Sequence, residues 1–92
     1  MDLLEPSGKL RATLPAGASV EALLGAAWGL REGLDRIVVV SVPDGWELAL
    51  YRQGAIPRTQ RLGVVTKVRD GNKQAMLETA WAELLDEGWS VR

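Results

Sequence analysis

The stretch Arg36-Ile37-Val38-Val39-Val40-Ser41-Val42-Pro43-Asp44-Gly45-Trp46-Glu47-Leu48-Ala49-Leu50-Tyr51 decides the fold. Its first half is almost wholly branched and apolar, as in a strand covered on one face and partly shielded on the other. Pro43-Asp44-Gly45 turns the chain, and the second half returns as another strand, so the segment reads as a β-hairpin. A three-residue loop with Gly45 left-handed sets Val42 opposite Trp46, Val40 opposite Leu48 and Val38 opposite Leu50, on one shared face. The other face then receives Ser41 with Glu47, Val39 with Ala49, and Ile37 with Tyr51.

Upstream, Leu10, Ala12 and Leu14 alternate with Lys9, Arg11 and Thr13, the period-two pattern of a half-buried strand that ends at Pro15. Ser19 is placed to cap a helix whose apolar stripe is Val20, Leu23, Leu24, Ala27 and Leu30, with Gly33 as its stop. Downstream, 53–60 reads as a loop around Gly54 and Pro57, and 62–69 as a third strand of the sheet. In that strand Leu62, Val64, Thr66 and Val68 fall on one side, and Arg61, Val65, Lys67 and Arg69 on the other. Asp70-Gly71 is a turn, Asn72 a helix cap, and Leu77, Ala80, Trp81, Leu84 and Leu85 form a second helical stripe ended by Gly88. Trp89 is positioned to fold back on that last turn.

The order strand, helix, strand, strand, strand, helix predicts an α+β domain: an antiparallel sheet of three to four strands with two helices packed on one face. Residues 1–8 read as a flexible N-terminal segment and 9–92 as the single domain. Ninety-two residues suffice for one modest core. An apolar fraction of 47% with 25% charged residues is globular rather than disordered composition.

Cysteine and histidine are both absent. Their absence removes disulfides, thiolate and imidazole metal sites, and every Cys-His or Ser-His nucleophile, so neither a metal nor a cofactor is expected. Asp35, Asp44, Asp70, Glu47 and the serines stand in no spacing that poses a nucleophile against a base, and an enzyme is not expected. No apolar run approaches the ~20 residues of a membrane span, and Met1-Asp2-Leu3-Leu4-Glu5 lacks the form of a signal peptide. A cytoplasmic protein without membrane contact is the expectation.

Charge is segregated along the chain. From Tyr51 to Lys73 six cations, Arg52, Arg58, Arg61, Lys67, Arg69 and Lys73, face only Asp70. From Gln74 onward Glu78, Glu83, Asp86 and Glu87 face only Arg92. Such separation suggests a contact surface. The sheet face carrying Ile37, Val39, Tyr51 and Val65 combines an apolar centre with a rim of Arg61, Lys67 and Arg69, the anatomy of a protein interface. The expected function is therefore a small interaction module that binds a protein partner or itself, most simply as a homodimer. The alternative is a nucleic-acid-binding accessory protein that presents Arg52, Arg58, Arg61, Lys67, Arg69 and Lys73 to phosphates, against which an acidic sequence pI near 5.4 weighs.

From about Val20 to Leu85 the element order resembles the double-stranded-RNA-binding domain, and Asn72-Lys73-Gln74-Ala75 followed by Ala80 resembles the start of that family's second helix. The resemblance implies an α-β-β-β-α core and an RNA contact at Lys73. The family's other lysine of the pair and its Pro-His dipeptide have no counterpart here. Of the four tryptophans, Trp46, Trp81 and Trp89 read as core residues and Trp28 as partly exposed.

Overall fold

A computed structural model of the chain describes residues 1–54, 58–63 and 70–92. The elements are β1 (Asp2–Leu4), β2 (Leu10–Thr13), α1 (Val20–Trp28), β3 (Asp35–Val42), β4 (Gly45–Arg52), β5 (Arg58–Arg61), α2 (Lys73–Asp86) and β6 (Ser90–Val91). The α+β class and the central order of elements are as the sequence predicts. The sheet is not single: the strands form two antiparallel three-stranded sheets, one ordered β2-β1-β6 and the other β3-β4-β5.

The N-terminal segment is structured, contrary to its reading as a flexible lead-in. β1 is the central strand of the first sheet, and Leu3 is completely buried in the core. Asp2 and Arg92 exchange backbone hydrogen bonds of 2.7 and 2.9 Å, and the Leu14 amide donates to the Met1 carbonyl at 2.8 Å. A three-residue strand has no readable period, so the element is set by its long-range pairing rather than by local pattern.

Both helices start and stop by side-chain and glycine chemistry. Ser19 Oγ accepts from the Ala22 amide at 3.1 Å, and Asn72 Oδ1 accepts from the Ala75 amide at 3.1 Å, each satisfying one of the orphan donors of a first turn. α1 ends at Gly29, four residues before the expected Gly33, with Gly29 left-handed at φ 72°. The Leu30 amide then returns to the Gly25 carbonyl and the Gly29 amide to the Ala26 carbonyl. α2 closes the same way: Gly88 donates to Leu85, and Trp89 to Leu84. In both motifs the residue after the glycine, Leu30 or Trp89, folds back on the core, the apolar contact that accompanies this cap. Arg11 adds a second closure to α1, with Nε and Nη2 donating to the Ala26 and Ala27 carbonyls at 3.1 and 2.9 Å, a cation placed at the negative end of the helix dipole.

All four layers meet in one core. Leu3 from the first sheet, Leu24 and Ala27 from α1, Ile37 and Leu48 from the second sheet, and Met76, Leu77, Ala80 and Leu84 from α2 make up its buried centre. Val20, Val39, Trp46, Trp81 and Trp89 pack around it. Leu85, expected in the α2 stripe, is 46% exposed, and Met76, outside that stripe, is fully buried. Among the described residues no helix is long and apolar enough to cross a membrane.

Candidate interaction surface

The hairpin of β3 and β4 governs what the second sheet presents outward. Pro43 and Asp44 occupy a two-residue turn, and Gly45, at φ 137°, enters the ladder opposite Val42. Trp46 therefore faces Ser41, Leu48 faces Val39, and Leu50 faces Ile37. Relative to the three-residue loop the register moves by one, and a one-residue slip exchanges the faces of a strand. β4 keeps its expected parity, with Leu48 and Leu50 buried beneath the sheet. β3 does not: Ile37 is 1% exposed in the core and Val39 packs against it. The assignment of Ile37 and Val39 to an open face is corrected accordingly.

The outward face of this sheet instead carries three rows read across the strands: Arg36, Tyr51 and Thr59; Val38, Ala49 and Arg61; Val40 and Glu47. Val38, Val40 and Tyr51 are half-buried, and both helices lie on the opposite side with Ile37 and Leu48. The Arg36 guanidinium sits 4.6 Å from the centre of the Tyr51 ring, a cation–π contact on the surface. Arg61 Nε lies 3.1 Å from Glu47 Oε1, bridging over Ala49. Tyr51 thus belongs to the outward face as the sequence predicts, whereas Val65 lies outside the described residues. Val38, Val40 and Arg36 were missed, whereas the sequence pattern places Glu47 on this face without marking it as part of the site. Turn length was the signal that distinguishes them, since Pro at the second position of a turn suits a two-residue connection as well as a longer one.

β5 occupies Arg58–Arg61, within what the sequence presents mostly as loop. Arg-Thr-Gln-Arg has no apolar alternation, and the strand exists because Gln60, Thr59 and Arg58 pair with Leu50, Tyr51 and Arg52. Leu62 and Gly63, the expected start of the third strand, are not in a strand. The rest of that expected strand, with Lys67 and Arg69, lies outside the described residues.

The cationic set is largely neutralised where it can be described. Arg52 Nε lies 3.4 Å from Asp35 Oδ1, Arg61 is paired with Glu47, and Lys73 Nζ is 3.0 Å from Glu21 Oε1. Arg58 is exposed and forms no ion pair among the described residues. Asp35 is the most constrained carboxylate of the group. Its side chain is inaccessible to solvent. It accepts from the Arg31 side chain at 3.2 and 3.3 Å, from the Arg31 amide at 3.0 Å, and from Arg52. The Arg31 side-chain and backbone hydrogen bonds hold its pKa down to about 2, because they are made to the charged form. This is a structural ion cluster with no free lone pair aimed at a substrate.

A shallow groove of about 680 Å³ runs between the edge of β2, the outer side of α1 and the start of β3. Leu14, Pro15, Ala22, Ala26, Leu30 and Ile37 contribute its apolar lining, with Arg31, Asp35 and Arg36 at the β3 end. Among the described residues no group of three or more acidic side chains is arranged to hold a metal ion.

The four sheet edges formed by the described residues differ in a way that bears on binding. β5 is four residues long, polar and wholly exposed; β6 has two residues; β2 has four and carries a bulge against β1, with Arg11 laid across the end of α1. Each of these is a protected edge in the sense that shortness, charge or a bulge discourages further pairing. β3 is neither short nor bulged, and its charges are confined to Asp35 and Arg36 at its start. It runs eight residues, is apolar from Ile37 to Val40, and pairs with β4 without a bulge from end to end. Among the described residues no strand pairs with its other side.

No protein-family model matches the chain. No curated protein and no solved structure matches it either.

Proposed function

We propose that this protein is a small, non-catalytic interaction module that binds a protein segment by adding a strand to the free edge of β3. The carrying observation is the contrast among the four sheet edges of the described residues: three are short or bulged, and the fourth, β3, is eight residues long, unbulged and apolar from Ile37 to Val40. Every second residue of such an edge offers an unpaired N–H and C=O, so affinity comes from the main chain and selectivity from flanking side chains. Here the flanking side chains are Val38 and Val40 on the outward face, with Arg36 and Glu47 at its two ends. The groove that begins at Asp35–Ile37 gives an added strand apolar surface to border.

The experiment is a titration of isotopically labelled protein with a peptide copying residues 35–42 flanked by lysines. Amide resonances of β3 should shift while those of β5 stay in place. Unchanged β3 amides at about 1 mM peptide, the weak end of specific recognition, would contradict the reading. The nucleic-acid alternative has less support, because Arg52, Arg61 and Lys73 already hold carboxylates. Retention of RNA or DNA that falls steeply with rising salt would favour it instead.

A further inference from the structure

Resting on the strand-addition reading, we infer that the natural occupant of the β3 edge is the β3 of a second copy, paired antiparallel about a two-fold axis through Val38. The arrangement of charge along the outward strip points to a self-partner. In an antiparallel pair, residues directly opposite share a face. A two-fold axis perpendicular to the sheet therefore keeps Val38 and Val40 of both copies outward and Ile37 and Val39 of both copies inward. The outward strip is also polar along its length, with Arg36 at one end and Glu47, opposite Val40, near the other. Antiparallel self-pairing brings Arg36 of each copy beside Glu47 of the other, whose Oε1 Arg61 already holds at 3.1 Å, so that the mate's Arg36 would share that carboxylate.

With Val38 opposite its own mate, Arg36 stands opposite the mate's Val40, and the mate's Glu47 is the next residue across. The separation is two inter-strand spacings, about 10 Å between backbones, a gap that extended Arg and Glu side chains close. Moving the axis to Val39 places Arg36 opposite the mate's Val42 and next to its Gly45, which offers no charge. The Val38 register is the one that pairs the charges. Among the described residues the product is a continuous six-stranded sheet with the short, polar β5 strands at its two ends. Its central outward row runs Arg61, Ala49, Val38, then the mate's Val38, Ala49 and Arg61. Closure is complete, since an isologous contact of this kind leaves no second free β3 edge for further growth.

The chain has no cysteine, so a single introduced thiol reports the register directly. Val38→Cys should form a disulfide-linked dimer under mild oxidation about tenfold faster than Val40→Cys on the same face, because only the on-axis position meets disulfide geometry. Residue 40 is displaced from its own mate by four residues, about 13 Å along the strands. Circular dichroism of both variants checks the fold, which an outward Val position leaves intact. Native mass of the unmodified protein, measured from low to high concentration, should rise from one chain to two. A two-chain mass without preferential Val38 cross-linking overturns the self-pairing geometry and leaves the strand-addition reading standing. A one-chain mass at every concentration, with β3 amides that still respond to the 35–42 peptide, overturns self-pairing alone. A one-chain mass with silent β3 amides overturns both.

Discussion

Asp35 shows how a residue that the sequence offers as a catalytic candidate is used as a clamp. It joins the Arg31 turn before β3 to Arg52 at the end of β4, closing the open end of the hairpin ladder, where Asp35 stands opposite Arg52. Its folded pKa of about 2 lies below the ordinary 3.8. A depressed carboxylate contributes stability that is fully present above the unfolded value and is lost as pH falls through the folded one. Denaturant midpoints should therefore drop between pH 4 and pH 2, and Asp35→Asn should flatten that part of the profile. An unchanged acid limb in the variant would remove Asp35 from the account. Gly71 is the second informative residue. At φ 63° it is left-handed, and a Cβ there would lie 2.8 Å from the Trp46 ring. Gly71→Ala should cost about 2 kcal/mol or more, combining left-handed strain with overpacking. Gly17→Ala, at φ 79° with open space around it, should cost about 1 kcal/mol from strain alone. Equal urea midpoints for the two variants would show that the indole yields freely. The Asp70-Gly71 turn was legible from composition, but the ring resting on it was not, since that contact joins segments far apart in the chain.

At the scale of elements, legibility followed local signal. Both N-caps, the Gly88 stop and the return of Trp89 were readable because capping is decided within a few residues. Gly33 was preferred over Gly29 because Leu30 continues the apolar stripe. Leu30 does reach the core, through the glycine motif rather than along the helix. The faces of β3 were not readable, because Ile37, Val38, Val39 and Val40 are apolar on both sides and carry no parity. β4 was readable, because Glu47 and Tyr51 alternate with Leu48 and Leu50. The shortest strands left no pattern at all. β1 supplies the sharpest element-scale prediction: Leu3→Ala should destabilise the whole molecule by about 2–5 kcal/mol, the cost of emptying a buried leucine site. Leu10→Ala, at a position 53% exposed in β2, should stay within about 0.5 kcal/mol. Comparable losses for the two, read by thermal or urea unfolding, would mean that β1 frays rather than anchors.

For the whole molecule, the expectation of one core and two helices held, while the single sheet became two sheets sharing that core. The second sheet was foreseeable in kind, since a strand at Lys9–Leu14 needed a partner, but its partners β1 and β6 have three and two residues. Splitting the strands between two sheets gives the described residues four sheet edges rather than two, and the binding proposal grows from how unequally they are protected. Of the basic stretch, Arg52, Arg61 and Lys73 are spent on internal links between hairpin, helix and sheet. The outward face of β3 and β4 carries an apolar strip between Arg36, stacked on Tyr51, and Glu47, paired with Arg61. The most direct test of β3 as a binding edge is amide hydrogen exchange across residues 35–42 of the unmodified protein, followed as its concentration is raised. Protection of alternate β3 amides, those that β4 does not bind, should increase with concentration while the protection of β5 stays unchanged. Identical exchange of β3 at low and high concentration would contradict self-pairing at this edge.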